Sequence, residues 1–174
     1  PFLLFYYHAP NFKDPDSFAL DLLSVVLAGG RSSRLYQELV YHKRLALGVD
    51  ADYEGLSVDP TVFSITAQVM PDKDPAEVER AIDSLVARMR AELISERELE
   101  KAKNQVEASF VFGQDSVFGQ AMRIGQYESV AGWRLLDSYL AGIRKVTAAD
   151  VLKVAKQYLD TDRRTVGTLI PIKE

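Results

Sequence analysis

The chain has 174 residues, 47% of them hydrophobic and 26% charged, with no cysteine. That is enough for one domain to bury its own core; it excludes a disulfide framework or a thiolate metal site and leaves periplasm and cytoplasm equally open. Lys plus Arg is 21 and Asp plus Glu is 25, a formal charge of −4, which argues against a nucleic-acid binder because such surfaces are normally basic.

Phe2 to Tyr7 is an apolar, aromatic run closed by His8-Ala9-Pro10, and it predicts a mostly buried strand. A strand with no lead-in and no basic segment before it suggests a piece of a longer polypeptide rather than a signal peptide. Asp14-Pro15 predicts a helix start, Asp14 as N-cap and Pro15 at the first helical position. Leu20, Leu23 and Leu27 give that helix a face, and Gly29-Gly30 end it. A second helix is predicted from Ser32 or Ser33 to about His42.

Two strands follow. In residues 46–54, Leu47, Val49, Ala51 and Tyr53 alternate with Gly48, Asp50, Asp52 and Glu54; in residues 61–70, Phe63, Ile65, Ala67 and Val69 alternate with Ser64, Thr66, Gln68 and Met70. A period of two predicts strands with one buried face, and the short link between them predicts an antiparallel hairpin. Asp74-Pro75 then opens a helix through Met89, and Ser95-x-x-Glu98 is a capping box for the next, to about Phe112. Further helices are predicted from Ser116, weakened by Gly125 and Gly132, from Trp133 to Ile143, and from Thr147-x-x-Asp150 through Tyr158. A last strand covers Thr165 to Ile170.

Segregated runs of strands and helices predict a single α+β domain over 1–174, a mainly antiparallel sheet with helices packed on one face. No apolar run reaches the ~18 residues of a membrane span. The charges of the two long helices, such as Glu77, Arg80, Arg97 and Lys101, read as a solvated face.

Catalytic motifs are sparse. His8 and His42 have no second histidine nearby, so a zinc site within this chain is not expected. Gly30-Arg31-Ser32-Ser33 follows a helix and lacks both the G-x-S-x-G elbow and the lysine of a phosphate loop. A phosphate- or nucleotide-binding module centred on Gly30 to Arg34 therefore stands only as a weaker alternative, resting on Arg31, Arg34 and the amides of a helix start. Gly29, Gly30, Ser32 and Ser33 read first as a structural loop, glycine ending one helix and serine capping the next. Asp50, Asp52 and Glu54 share one strand face at about 7 Å spacing, either a solvent face or an acidic wall that steers basic peptide.

GGRSSRLYQELV, LALGVDADYEG, SERELEKAKNQV, VTAADVLKVAKQYL and TVGTLIP, in that order, resemble the pitrilysin/insulinase-type zinc metallopeptidases, which include the mitochondrial processing peptidase. The resemblance covers nearly the whole chain, and GGRSSRLYQEL carries most of it. It implies a half-clamshell domain of the LuxS and processing-peptidase type, one of two or more homologous domains enclosing a chamber. No match to the metal-binding H-x-x-E-H occurs, so it implies the non-catalytic domain, with no cofactor in this chain and zinc on a homologous catalytic domain or partner subunit, in a dimer or two-domain assembly that encloses a peptide substrate. The family's substrate-holding Arg and Tyr, seven residues apart, fall at Val40 and Leu47, which cannot act in that way; Arg34 and Arg44 are near enough in sequence to substitute. Candidate substrate-binding residues are accordingly Arg34, Arg44, Asp50, Asp52 and Glu54. The alternative is a proteolytically inactive assembly subunit of the same fold.

Overall fold

The computed structural model describes residues 1–171. Strands β1 (Phe2–Ala9), β2 (Ala46–Tyr53), β3 (Thr61–Val69) and β4 (Arg164–Leu169) form one sheet in the order β2-β3-β1-β4. Every neighbouring pair is antiparallel, and β2-β3 is the expected hairpin. Among the described residues, six α-helices, one π-helical segment, Tyr36–His42, and a 3-10 turn, Thr161–Arg163, fill the connections: α1 (Ser17–Ala28), α2 (Pro75–Ala91), α3 (Glu96–Phe112), α4 (Val117–Val130), α5 (Leu135–Lys145) and α6 (Ala148–Tyr158).

Side-chain alternation decides which sheet face is covered. Leu3, Phe5 and Tyr7 of β1 lie opposite Ala67, Ile65 and Phe63 of β3, and all are buried on the helical side, where α2 packs on both strands, α6 on β1 and α1 on β2. The other face carries Leu4, Tyr6 and His8 beside Thr66, Ser64 and Val62, and it is half-buried or exposed. β1 is thus half buried, not mostly buried; Tyr6 tolerates 40% exposure because a phenol presents a polar tip to water.

A β-bulge interrupts β2, where the register shifts between Ala46 and Gly48. The extra residue turns Ala46 inward and leaves Leu47 52% exposed, so the expected placement of Leu47 on the buried face is corrected. Helix α1 also begins later than expected. The Asp14 carboxylate accepts the Asp16 amide at 2.8 Å and its carbonyl accepts the Ser17 amide at 3.0 Å, so Asp14-Pro15-Asp16 is a turn and not the cap.

In α2, α3, α4 and α6 the caps fall where the sequence puts them. Asp74 accepts the Ala76 amide with Pro75 in the first helical turn of α2, and Ser95-Glu98 and Thr147-Asp150 close complete capping boxes on α3 and α6. Ser116 caps α4, which runs unbroken through Gly125; the chain then turns at Gly132, whose φ is 90°. Strand β4 is tied to α2 by Arg164, which pairs with Asp83 and, at 3.5 Å, with Glu79.

Candidate functional site

The glycine-serine segment is a turn between α1 and the π-helical segment. Gly29 caps α1, its amide bonded to the Val25 carbonyl at 2.7 Å, and Gly30 adopts φ 102°, a left-handed conformation that favours glycine. Ser33 is buried and does not cap the next helix. Its hydroxyl donates to the Gly30 carbonyl at 2.6 Å, closing the turn from within. Ser32 meets Lys101 of α3. Arg34 makes a two-pronged pair with Glu98, Nε to Oε1 at 2.8 Å and Nη2 to Oε2 at 3.0 Å. That guanidinium, with the Ser95 cap, holds the Glu98 carboxyl down at about 2. Arg34 thus staples the π-helical segment to the start of α3. Arg44 stands exposed with φ 50° where that segment passes into β2. Val40 packs against the core.

The acidic residues of β2 divide. Asp50 and Asp52 are exposed on the open sheet face, in register with Thr66 and Ser64 of β3. Glu54 lies just past the strand end and lines a cavity on the helical side.

That cavity, about 430 Å³, is walled by α1, the β2–β3 connection, α4 and α5. Phe12, Phe18, Tyr53, Tyr127 and Tyr139 line it with the carboxylate of Asp21. Asp21 is the one charged residue of α1, between buried Leu20 and Leu22 in sequence and one turn from Ser17 and Ser24. Tyr139 of α5 donates its hydroxyl to Asp21 Oδ2 at 3.0 Å. Phe110 of α3 stacks on the Tyr139 ring at 5.6 Å, and Phe18 tilts against it at 6.2 Å. Gly142 permits this approach of α5, since a Cβ there would lie 2.5 Å from the Phe18 ring. Tyr53 donates to the Pro10 carbonyl at 2.6 Å, fixing the rim beneath Gly55.

Burial raises the Asp21 carboxyl to about 7, against the smaller downward pull of the Tyr139 hydrogen bond; Asp52 adds a further upward push. Burial and then the Asp21 charge drive Tyr139 above the usual phenol range, and Tyr53 and Tyr127 rise for the same reasons. A desolvated carboxylate walled by phenols is a place for a hydrogen-bond donor or a positive charge. Sequence reasoning reached Glu54 but missed Asp21. The readable signal was a lone acid inside FALDLLSVVLA; its partner Tyr139, 118 residues away, gave none.

Among the described residues, no three His, Asp or Glu side chains gather as a metal-binding group. His8 is exposed on β1, and His42 lies edge-on to Tyr41 at 5.0 Å. No helix among the described residues is long and apolar enough to cross a membrane.

Residues 1–106 match the Peptidase M16 inactive domain. The chain belongs to that family. It is the pitrilysin/insulinase family that the motifs resemble. The zinc protease PqqE of Helicobacter pylori is 31% identical over 92% of this chain and 36% of its own length. The chain therefore spans about a third of the length of the curated relatives it matches. The inactive peptidase domain of a protein described as a zinc protease from Bordetella parapertussis superposes with a TM-score of 0.89 at 25% identity, covering 99% of this chain and 91% of that one. A chain of Complex III2 from Candida albicans shares the fold alone, with a TM-score of 0.79 at 14% identity over 95% of this chain and 41% of that one.

Proposed function

We propose that this M16 inactive domain is the substrate-enclosing, non-catalytic half of a zinc endopeptidase, working beside a homologous domain or subunit that holds the metal. The observation that carries this reading is the pairing of a whole-domain match to inactive peptidase domains with the lack of any metal-ligand group among the described residues. In the other half, zinc would supply an activated water for peptide hydrolysis. This half contributes wall and peptide contacts. Its open sheet face, with Asp50, Asp52, Ser64, Thr66 and Gln68, is the surface offered to the chamber, and its acidic edge favours basic segments by long-range attraction. Arg44, exposed beside the bulge, is the basic residue free to meet a peptide carbonyl or carboxylate; Arg34 is engaged with Glu98.

The test is reconstitution. The purified chain should hold no stoichiometric zinc by elemental analysis and cleave no peptide alone, and its addition to the separately expressed metal-bearing half should restore chelator-sensitive cleavage. One tightly bound zinc per chain, with cleavage by this chain unaided, would overturn the proposal. A second reading, an assembly subunit without a role in proteolysis, is favoured by Val40 and Leu47 at the family's Arg and Tyr positions, one packed on the core and the other apolar and exposed. Failure of the chain to raise the activity of the other half, with complex formation intact, would select it.

A further inference from the structure

The aromatic cavity beside Asp21 plays no part in the enclosure reading, and its second wall, α4 and α5, lies beyond the residues that the family match covers. Its lining is lopsided. Five aromatic rings and two carboxylates, Asp21 and Glu54, face it, and no lysine or arginine lines it among the described residues. Tyr139 supplies the one hydrogen bond that the Asp21 carboxylate receives from the described residues, and no ion pair reaches it. Arg123 of α4 lines an adjoining cleft that Asp21, Tyr127 and Tyr139 also border, but it is committed to Phe110, donating to its carbonyl at 3.0 Å with the guanidinium 4.8 Å over its ring.

A half-buried carboxylate without a counter-ion is costly, and a cation seated against it removes that cost. The negative faces of tyrosine rings attract the same charge, as in cages that bind ammonium groups. We propose that this cavity binds an organic cation, an ammonium or guanidinium head held between Tyr53, Tyr127 and Tyr139 and paired with the Asp21 carboxylate. The volume suits a Lys or Arg side chain or a peptide amino terminus, while the mouth at Glu54 opens beside the acidic edge of β2. As a site for substrate peptide it rests on the enclosure reading; as a cation site it does not.

The experiment is calorimetric titration of the intact chain with four probes: Nα-acetyl-arginine amide, Nα-acetyl-lysine amide, alanyl-alanine amide with a free amino terminus, and the uncharged isostere Nα-acetyl-citrulline amide. At least one cation should bind with a submillimolar Kd and the citrulline probe about tenfold more weakly or worse; the cation preferred names the source. Asp21→Asn should lose about tenfold or more of that affinity, and Tyr127→Ala, on a helix with no buried residue, several-fold. Binding should weaken as pH falls below about 7, where Asp21 takes up a proton. The groups facing Asp21 are Tyr139 from α5, Tyr127 and, across the cleft, Arg123 from α4, and Tyr53 and Glu54 from β2 and its end, while the Asp52 charge acts from the other face of the sheet. The three phenols keep their protons throughout that range. Equal binding of the arginine and citrulline probes, saturation by none of the cations, or unchanged affinity in a folded Asp21→Asn protein would each sink the proposal. None of these outcomes touches the reconstitution assay, and failed reconstitution leaves the titration standing.

Discussion

Two halves of the helical layer obey opposite rules. Helix α2 buries Val78, Ala81, Ile82, Leu85, Val86 and Met89 against the sheet and α6. Helix α4 has no fully buried residue, while Val117 and Phe118 are 83% and 75% exposed. Both helices carry good caps, Asp74 on one and Ser116 on the other. Local hydrogen bonding therefore makes a helix in either place, but only the apolar stripe of α2 docks one. The cavity beside Asp21 lies at the seam: its α1 wall belongs to the packed half, its α4 wall to the loose one.

The sharpest way to break this contrast is to hollow out the packed half. Phe5 is fully buried at the centre of β1, opposite Ile65, with the Arg164 guanidinium 5.3 Å over its ring. Phe5→Ala should cost about 3–5 kcal/mol, measured by urea unfolding, because close-packed neighbours collapse only partly into the void. A loss under about 1 kcal/mol would mean that the layer is not close-packed.

The seam should respond in the opposite direction. The Asp21 carboxyl titrates near 7 in the fold against an ordinary 3.8, so its charged form is disfavoured by folding. That penalty is absent below the ordinary value, grows as pH rises between the two, and is complete above about 7. Asp21→Asn keeps an acceptor for Tyr139 and should stabilise the protein by about 1–3 kcal/mol at alkaline pH and by nothing near pH 4, read as melting temperature against pH. A gain that does not depend on pH would show that the charge is not its source. Stability gained with cation affinity lost is the trade expected where a binding site is held at the expense of the fold.

The legible and the illegible features separate along the same line. Ser95-Glu98, Thr147-Asp150 and Asp74-Pro75 could be read because each cap is closed by residues three or fewer apart. The α+β class followed from element order. What joins distant segments could not be read: β1 between β3 and β4, the single-residue bulge at Leu47, or the π-helical winding of Tyr36–His42. Among the candidate site residues, alternation puts Asp50 and Asp52 on the open face, but it carries no sign that the chain leaves the strand at Tyr53 and delivers Glu54 to the cavity. Arg34 looked free for substrate because Glu98 lies 64 residues away.

That pair offers a smaller perturbation at the border of the two regions. Glu98→Gln retains a capping side chain at the third helical position and removes only the charge that Arg34 grips. The Glu98 carboxyl is depressed to about 2, so its contribution is present above the ordinary value of 4.5 and is lost as pH falls through the folded value. With 37% of the Glu98 side chain exposed, solvent screens the pair. Glu98→Gln should cost about 1 kcal/mol at neutral pH, and the difference from the parent protein should vanish near pH 2.

The smallest effect is expected where the contrast is most visible. Phe118 is one of several apolar side chains at the α3–α4 corner, with Val111, Phe112 and Val117, all at least half exposed. Phe118→Ser removes no buried contact and leaves the Ser116 cap in place, so unfolding free energy should change by less than about 0.5 kcal/mol. Amide exchange should make the same point without mutation. Helix α4 opens without disturbing the core and should lose protection orders of magnitude faster than α2, which opens only with the whole domain. If α4 amides were protected as long as those of α2, the two regions would form one cooperative unit, and the cavity between them would be as rigid as the core itself.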